Sequence, residues 1–179
     1  QKSPLSPTVL IAAAQRTPIG ALQGALAGAS APQLAAAAAR GAIAAAGIAP
    51  GDIGEAIFGC VLPAGVGQAP ARQAALAAGL PQSVPATTIN KVCGSGMKAT
   101  MLAHDLILAG SNEVMVAGGM ESMSNAPYLL PKARAGYRLG HGQMFDHMFL
   151  DGLADSYSKE NKGRLMGTFA EDCAAAFHF

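Results

Sequence analysis

Cys93 has the surroundings of a reactive sulfur. The apolar run from Val84 to Val92 delivers it into Gly94-Ser95-Gly96, and a helix-like segment follows from Met97 to Ala109. A thiol at a helix start faces unpaired backbone N–H groups and the positive end of the helix dipole, both of which favour the thiolate. Gly94 and Gly96 carry no side chain that would block the approach of a large substrate. The chemistry such a cysteine could do is nucleophilic acyl transfer. Local context leaves a second reading open, because unpaired cysteine is also a common small apolar filler. Cys60, in the run Ala56-Ile57-Phe58-Gly59-Cys60-Val61-Leu62, and Cys173, in a helix after Gly167, lack the strand-to-helix corner. Packing roles are expected for both.

The elements that would hold Cys93 alternate. Thr8 to Ala14 reads as a buried strand closed by Arg16-Thr17-Pro18-Ile19-Gly20. Ser30 caps an Ala-rich helix that has Pro32 in its first turn and stops at Gly47. Strands are then expected at Glu55–Leu62, Ala86–Val92 and Glu113–Ala117, with helices at Pro70–Ala78 and Met97–Ala109. That order predicts a layered α/β fold, and runs apolar on both alternations predict a mostly parallel sheet covered on both faces. Between Met120 and Met166 the periodicity weakens, as in a lid or binding excursion, and a helix resumes near Thr168–Phe177.

The chain has 179 residues, 51% of them hydrophobic, with 12 Lys+Arg against 11 Asp+Glu. That is enough for a substantial core, and it offers no basic block for nucleic acid. No apolar run reaches the roughly 18 to 20 residues of a bilayer span. Three scattered cysteines suit neither a zinc knuckle nor a complete disulfide framework, so a reducing, cytoplasmic setting is expected. The N-terminus, Gln1 to Pro7, has no apolar signal core and reads as a short tail. Gly65-x-Gly67 is no dinucleotide fingerprint, since Pro70 stands where the third glycine would be. His104, His141, His147 and His178 form no His-Glu-x-x-His pattern and are expected to be surface, loop or helix residues.

Five blocks in order carry a resemblance: Arg16–Gly20, Gly67–Gln73, Asn90–Ala99 (Asn-Lys-Val-Cys-Gly-Ser-Gly-Met-Lys-Ala), Ala117–Ser124 (Ala-Gly-Gly-Met-Glu-Ser-Met-Ser) and Met166–Glu171. In these the chain resembles the thiolase family, and within it the biosynthetic acetyl-CoA acetyltransferase type. The resemblance implies the first, incomplete half of a duplicated thiolase-like α/β fold with a mostly parallel mixed sheet. Residues 1–122 would be core and 123–179 the beginning of an inserted lid. It implies that Cys93 becomes acylated by acetyl-CoA, that its backbone N–H helps form an oxyanion site, and that acetoacetyl-CoA is the condensation product. A degradative 3-ketoacyl-CoA thiolase of broader chain length and a non-catalytic acyl-CoA-binding protein are the alternatives.

The resemblance also implies that Met166 lies in the acyl pocket. Leu165 stands where many bacterial members have histidine, a change that bears on pocket polarity. No metal and no redox cofactor are expected. A homodimer or homotetramer is implied, with Leu129–His141 as a contact loop. The family's catalytic histidine and second cysteine belong to a C-terminal half outside this sequence, so the chain alone is expected to be inactive.

Overall fold

The computed structural model describes residues 8–179, and the reading of Gln1 to Pro7 as a tail lies outside the described residues. The described residues divide into two compact units, 8–125 and 126–179.

The first unit opens with helix α1, Ala31–Ala46. Its limits follow from local chemistry. The Ser30 hydroxyl accepts the N–H of Gln33, the Gln33 side chain accepts the N–H of Ser30, and Pro32 pre-sets the first turn. Gly47 ends the helix with φ +65°, a conformation that favours glycine. Strand β1, Glu55–Gly59, helix α2, Pro70–Ala77, strand β2, Ala86–Ile89, helix α3, Ser95–Leu108, and strand β3, Met115–Gly119, complete the unit.

The three strands form a parallel sheet in the order β2-β1-β3. Ala56 pairs with Ala86 on one side and with Val116 on the other. As the middle strand, β1 is buried from Ala56 through Gly59 on both alternations, which a parallel strand covered on both faces requires. Helix α2 packs on β1 and β2, α3 packs on β1 and β3, and α1 packs on α2. The α1–α2 contact is alanine against alanine: Ala31, Ala35, Ala36 and Ala39 face Ala71, Ala74 and Ala75 in one buried cluster. Small side chains let the two backbones approach closely.

The expected strand at Thr8–Ala14 is not formed. Residues 8–20 carry no regular structure, and Leu10 and Ile11 are each 80% exposed. An apolar run becomes a strand only with a backbone partner, and no described strand pairs with this one. It borders instead a cavity of about 860 Å³ walled by α1, α3 and β3. Elsewhere the sequence limits shift by a few residues. The strand expected to run to Leu62 ends at Gly59, that expected to run to Val92 ends at Ile89, and α3 starts at Ser95 rather than Met97.

The second unit contains a two-residue antiparallel pair, β4 (Tyr128–Leu129) with β5 (Phe145–Asp146), a π-helical turn over Met148–Leu153, and helix α4, Met166–Phe177. Among the described residues no helix is long and apolar enough to cross a membrane.

Candidate active site

Cys93 is exposed and precedes α3 by two residues, with Gly94 at the helix cap. The corner that carries it is densely bonded. The Asn90 side-chain oxygen accepts the Val92 N–H at 2.8 Å, an Asx-turn that starts the reversal. The Ser95 hydroxyl accepts the Lys91 N–H at 2.8 Å and donates to the Val92 carbonyl at 2.6 Å. The Ser95 N–H reaches the same carbonyl at 3.1 Å, and the Gly94 N–H donates to Lys91 O at 3.0 Å. Val92, between these bonds, has φ +46°. The cysteine is therefore turned out at the head of the helix.

Three backbones meet behind the corner. Gly59, at the end of β1, lies so close to Ser95 that a Cβ there would run into the serine side chain. Gly119, which ends β3, lies beside Gly96: a Cβ added to Gly119 would stand in ordinary contact, 3.4 Å from Gly96 Cα, while one on Gly118 would press on the Phe58 ring at 3.3 Å. The Met120 N–H donates to Gly59 O at 2.9 Å, and the Cys60 N–H donates to Ile89 O at 3.0 Å. Together these fix the ends of all three strands around the start of α3.

Glu121 continues that tie. Its carboxylate accepts the N–H groups of Val61 at 2.9 Å and Leu62 at 3.0 Å, holding the turn after β1. The same carboxylate is 3.7 Å from the Cys60 sulfur. Cys60 is 2% exposed, and its thiol is pushed up to about 11, first by burial and then by the Glu121 charge. Cys60 is thus protonated at neutral pH and packs in the core, unlike exposed Cys93. Sequence reasoning passed over Glu121 because its partners are some 60 residues away.

Leu165 and Met166 are neighbours at the head of α4 in the second unit. Leu165 is its cap residue, and its carbonyl accepts both the N–H and the hydroxyl of Thr168 at 2.9 and 2.7 Å. Met166 is 48% exposed. Cys173, on the same helix, is also exposed.

The histidines differ. His104 lies 3.1 Å from Asp105 on an exposed part of α3. His147, expected at the surface, in a loop or in a helix, heads the π-helical turn and is only 4% exposed, with Nδ1 2.6 Å from the Asp151 carboxylate one turn on. No cluster of three or more His, Cys, Asp or Glu among the described residues could hold a metal ion. In the Gly67–Gln73 block, Arg72 donates to the Gln82 carbonyl at 2.6 Å and Gln73 to the Gln68 carbonyl at 2.7 Å. That block braces the segments on either side of α2.

A family model described as Thiolase, N-terminal domain, matches residues 9–179. The Acetyl-CoA acetyltransferase of Cupriavidus necator is 50% identical over 169 residues, covering 94% of this chain and 42% of that protein. The Acetyl-CoA acetyltransferase of Pseudomonas aeruginosa is 51% identical over 163 residues, covering 91% of this chain and 42% of its own length. A Gibberella zeae protein named Acetyl-CoA acetyltransferase ERG10, cytosolic, is 50% identical over 167 residues, covering 93% of this chain and 41% of its own. The chain spans about 42% of the length of the curated relatives it matches.

Proposed function

The chain belongs to the thiolase family, and from that premise we propose that it is the N-terminal part of an acetyl-CoA acetyltransferase in which Cys93 is the nucleophile. The observation that carries the reading is the exposed cysteine turned out at the head of α3 by a fully bonded corner. The names of relatives about 50% identical support acetyl-CoA as the substrate.

In the proposed route the Cys93 sulfur attacks the thioester carbonyl of acetyl-CoA. The oxyanion that develops collapses with rupture of the carbon–sulfur bond to coenzyme A, which leaves as a thiol once protonated. The acetyl group on Cys93 is next attacked by the α-carbon of a second acetyl-CoA, which has given up a proton. Acetoacetyl-CoA forms and the cysteine is released. Two moderate steps replace one difficult step. The Cys93 backbone N–H is our candidate oxyanion donor, while Met166 and Leu165 are our candidates for residues lining the acyl pocket. The groups that carry the two protons would belong to the part of the protein beyond this chain.

Bond making and breaking balance with thiol, thioester and proton carriers, so we assign no metal or redox cofactor. In the same reading, residues 1–122 are core and 123–179 begin a lid, the protein acts as a homodimer or homotetramer, and it works in the cytosol. The name of the Gibberella zeae relative supports that location.

The test is mass mapping of the full-length protein after mixing with acetyl-CoA, in parallel with iodoacetamide labelling. Acetyl on Cys93, and alkylation of Cys93 well ahead of Cys60, are expected. An unmodified Cys93 in active protein, or one no faster than Cys60, overturns the assignment.

A further inference from the structure

We propose that Ser95 is a positioning residue for Cys93, its hydroxyl locking Val92 into the left-handed backbone conformation that turns the cysteine outward. The proposal rests on the reading of Cys93 as nucleophile and adds a part to it.

Val92 is the anomaly of the corner. A β-branched residue is among the least suited to positive φ, because its side chain crowds the backbone there, yet Val92 sits at +46°. Nothing in its own residue type selects that state, so its neighbours must impose it. Its neighbours supply the restraints. Ser95 Oγ closes over the Lys91-Val92 pair, accepting from Lys91 N–H and donating to Val92 O. The Asn90 side chain holds the Val92 N–H. Of these groups only the Ser95 hydroxyl bridges from the amide at the start of that pair to the carbonyl at its end.

Ser95 itself cannot drift. It is 4% exposed and is set against Gly59, whose missing side chain leaves the room it occupies. The end of β1 therefore anchors the serine, the serine fixes Val92, and Val92 aims the next residue, Cys93. Without the hydroxyl, the part-buried Lys91 N–H loses its partner and the Val92 carbonyl keeps only the Ser95 N–H, so valine relaxes toward negative φ, which redirects the cysteine. Glycine at position 92 would adopt the same backbone state without being forced.

That difference provides the test. Ser95→Ala, Val92→Gly and the double variant are made in the full-length protein. Two rates are read at Cys93 by mass mapping: alkylation by iodoacetamide, which needs no binding pocket, and acetylation by acetyl-CoA. Ser95→Ala is expected to slow both by about tenfold or more, toward the roughly 10²-fold that a misplaced reacting atom can cost. Val92→Gly in that background is expected to recover most of both rates. A serine that matters only as packing gives no such rescue.

Ser95→Ala reacting like wild type, or a double variant as slow as Ser95→Ala, overturns the proposal while leaving the nucleophile assignment intact. A wild-type Cys93 that is itself inert overturns both. Should Ser95→Ala fail to fold, the double variant decides: soluble, reactive protein supports the proposal, and unfolded protein refutes it.

Discussion

Replacing Glu121 with alanine removes one carboxylate that satisfies two backbone donors, the N–H groups of Val61 and Leu62. Hydrogen bonds to a charged acceptor contribute about 1.5 to 3 kcal/mol each. The pair is part-buried, so water recovers a share, and a net loss of about 2 to 4 kcal/mol is expected from Glu121→Ala. Glu121→Gln keeps one carbonyl oxygen but turns amide donors toward the second N–H, and should cost about 1 to 2 kcal/mol. Both variants should lower the Cys60 thiol from about 11 without returning it to 9.0, because burial, the larger cause, remains. Urea unfolding of the full-length protein, followed by circular dichroism, reads the first effect. Alkylation of Cys60 against pH reads the second. A Glu121→Ala variant within about 0.5 kcal/mol of wild type, the range of an ordinary surface change, would refute the reasoning.

Three more outcomes follow from the same geometry. Stability should fall between pH 9 and 11 because the unfolded Cys60 thiol ionises from 9.0 while the folded one holds its proton to about 11. The unfolded state then binds fewer protons, so the slope is negative and totals about 2 to 3 kcal/mol; Cys60→Ala should lack this component in pH-dependent urea melts. Ser30→Ala removes half of the α1 capping box and should cost about 1 kcal/mol, read as a shift of the urea midpoint. Gly59→Ala forces a methyl against Ser95 and should cost about 1 to 3 kcal/mol while slowing Cys93 alkylation, since the clash falls on the residue that aims it.

What could be read from the sequence divides by range. Helix α1 was legible to within a residue because Ser30, Pro32 and Gly47 act on their own neighbours. The strand-to-helix corner at Cys93 was legible because apolar run, glycine pair and helical segment are adjacent. Thr8–Ala14 misled because an apolar run states a preference for burial and says nothing about a ladder partner. The left-handed Val92 was invisible, since valine by type argues against it. Glu121 and Gly59 were missed as supports because their partners lie far along the chain. The burial of His147 against Asp151 was hidden in a stretch of weak periodicity, where local signals do not say which side chains turn inward.

The meeting of Gly59, Ser95-Gly96 and Gly119 also orders events in time. These contacts join segments separated by about 25 to 60 positions, so the chain must close large loops before any of them forms. During synthesis, a polypeptide extended only a few residues past the cysteine has no third strand, so Gly119 is not there to back the start of α3. The strand-to-helix corner, bonded locally, gains its full backing only at the end of sheet assembly.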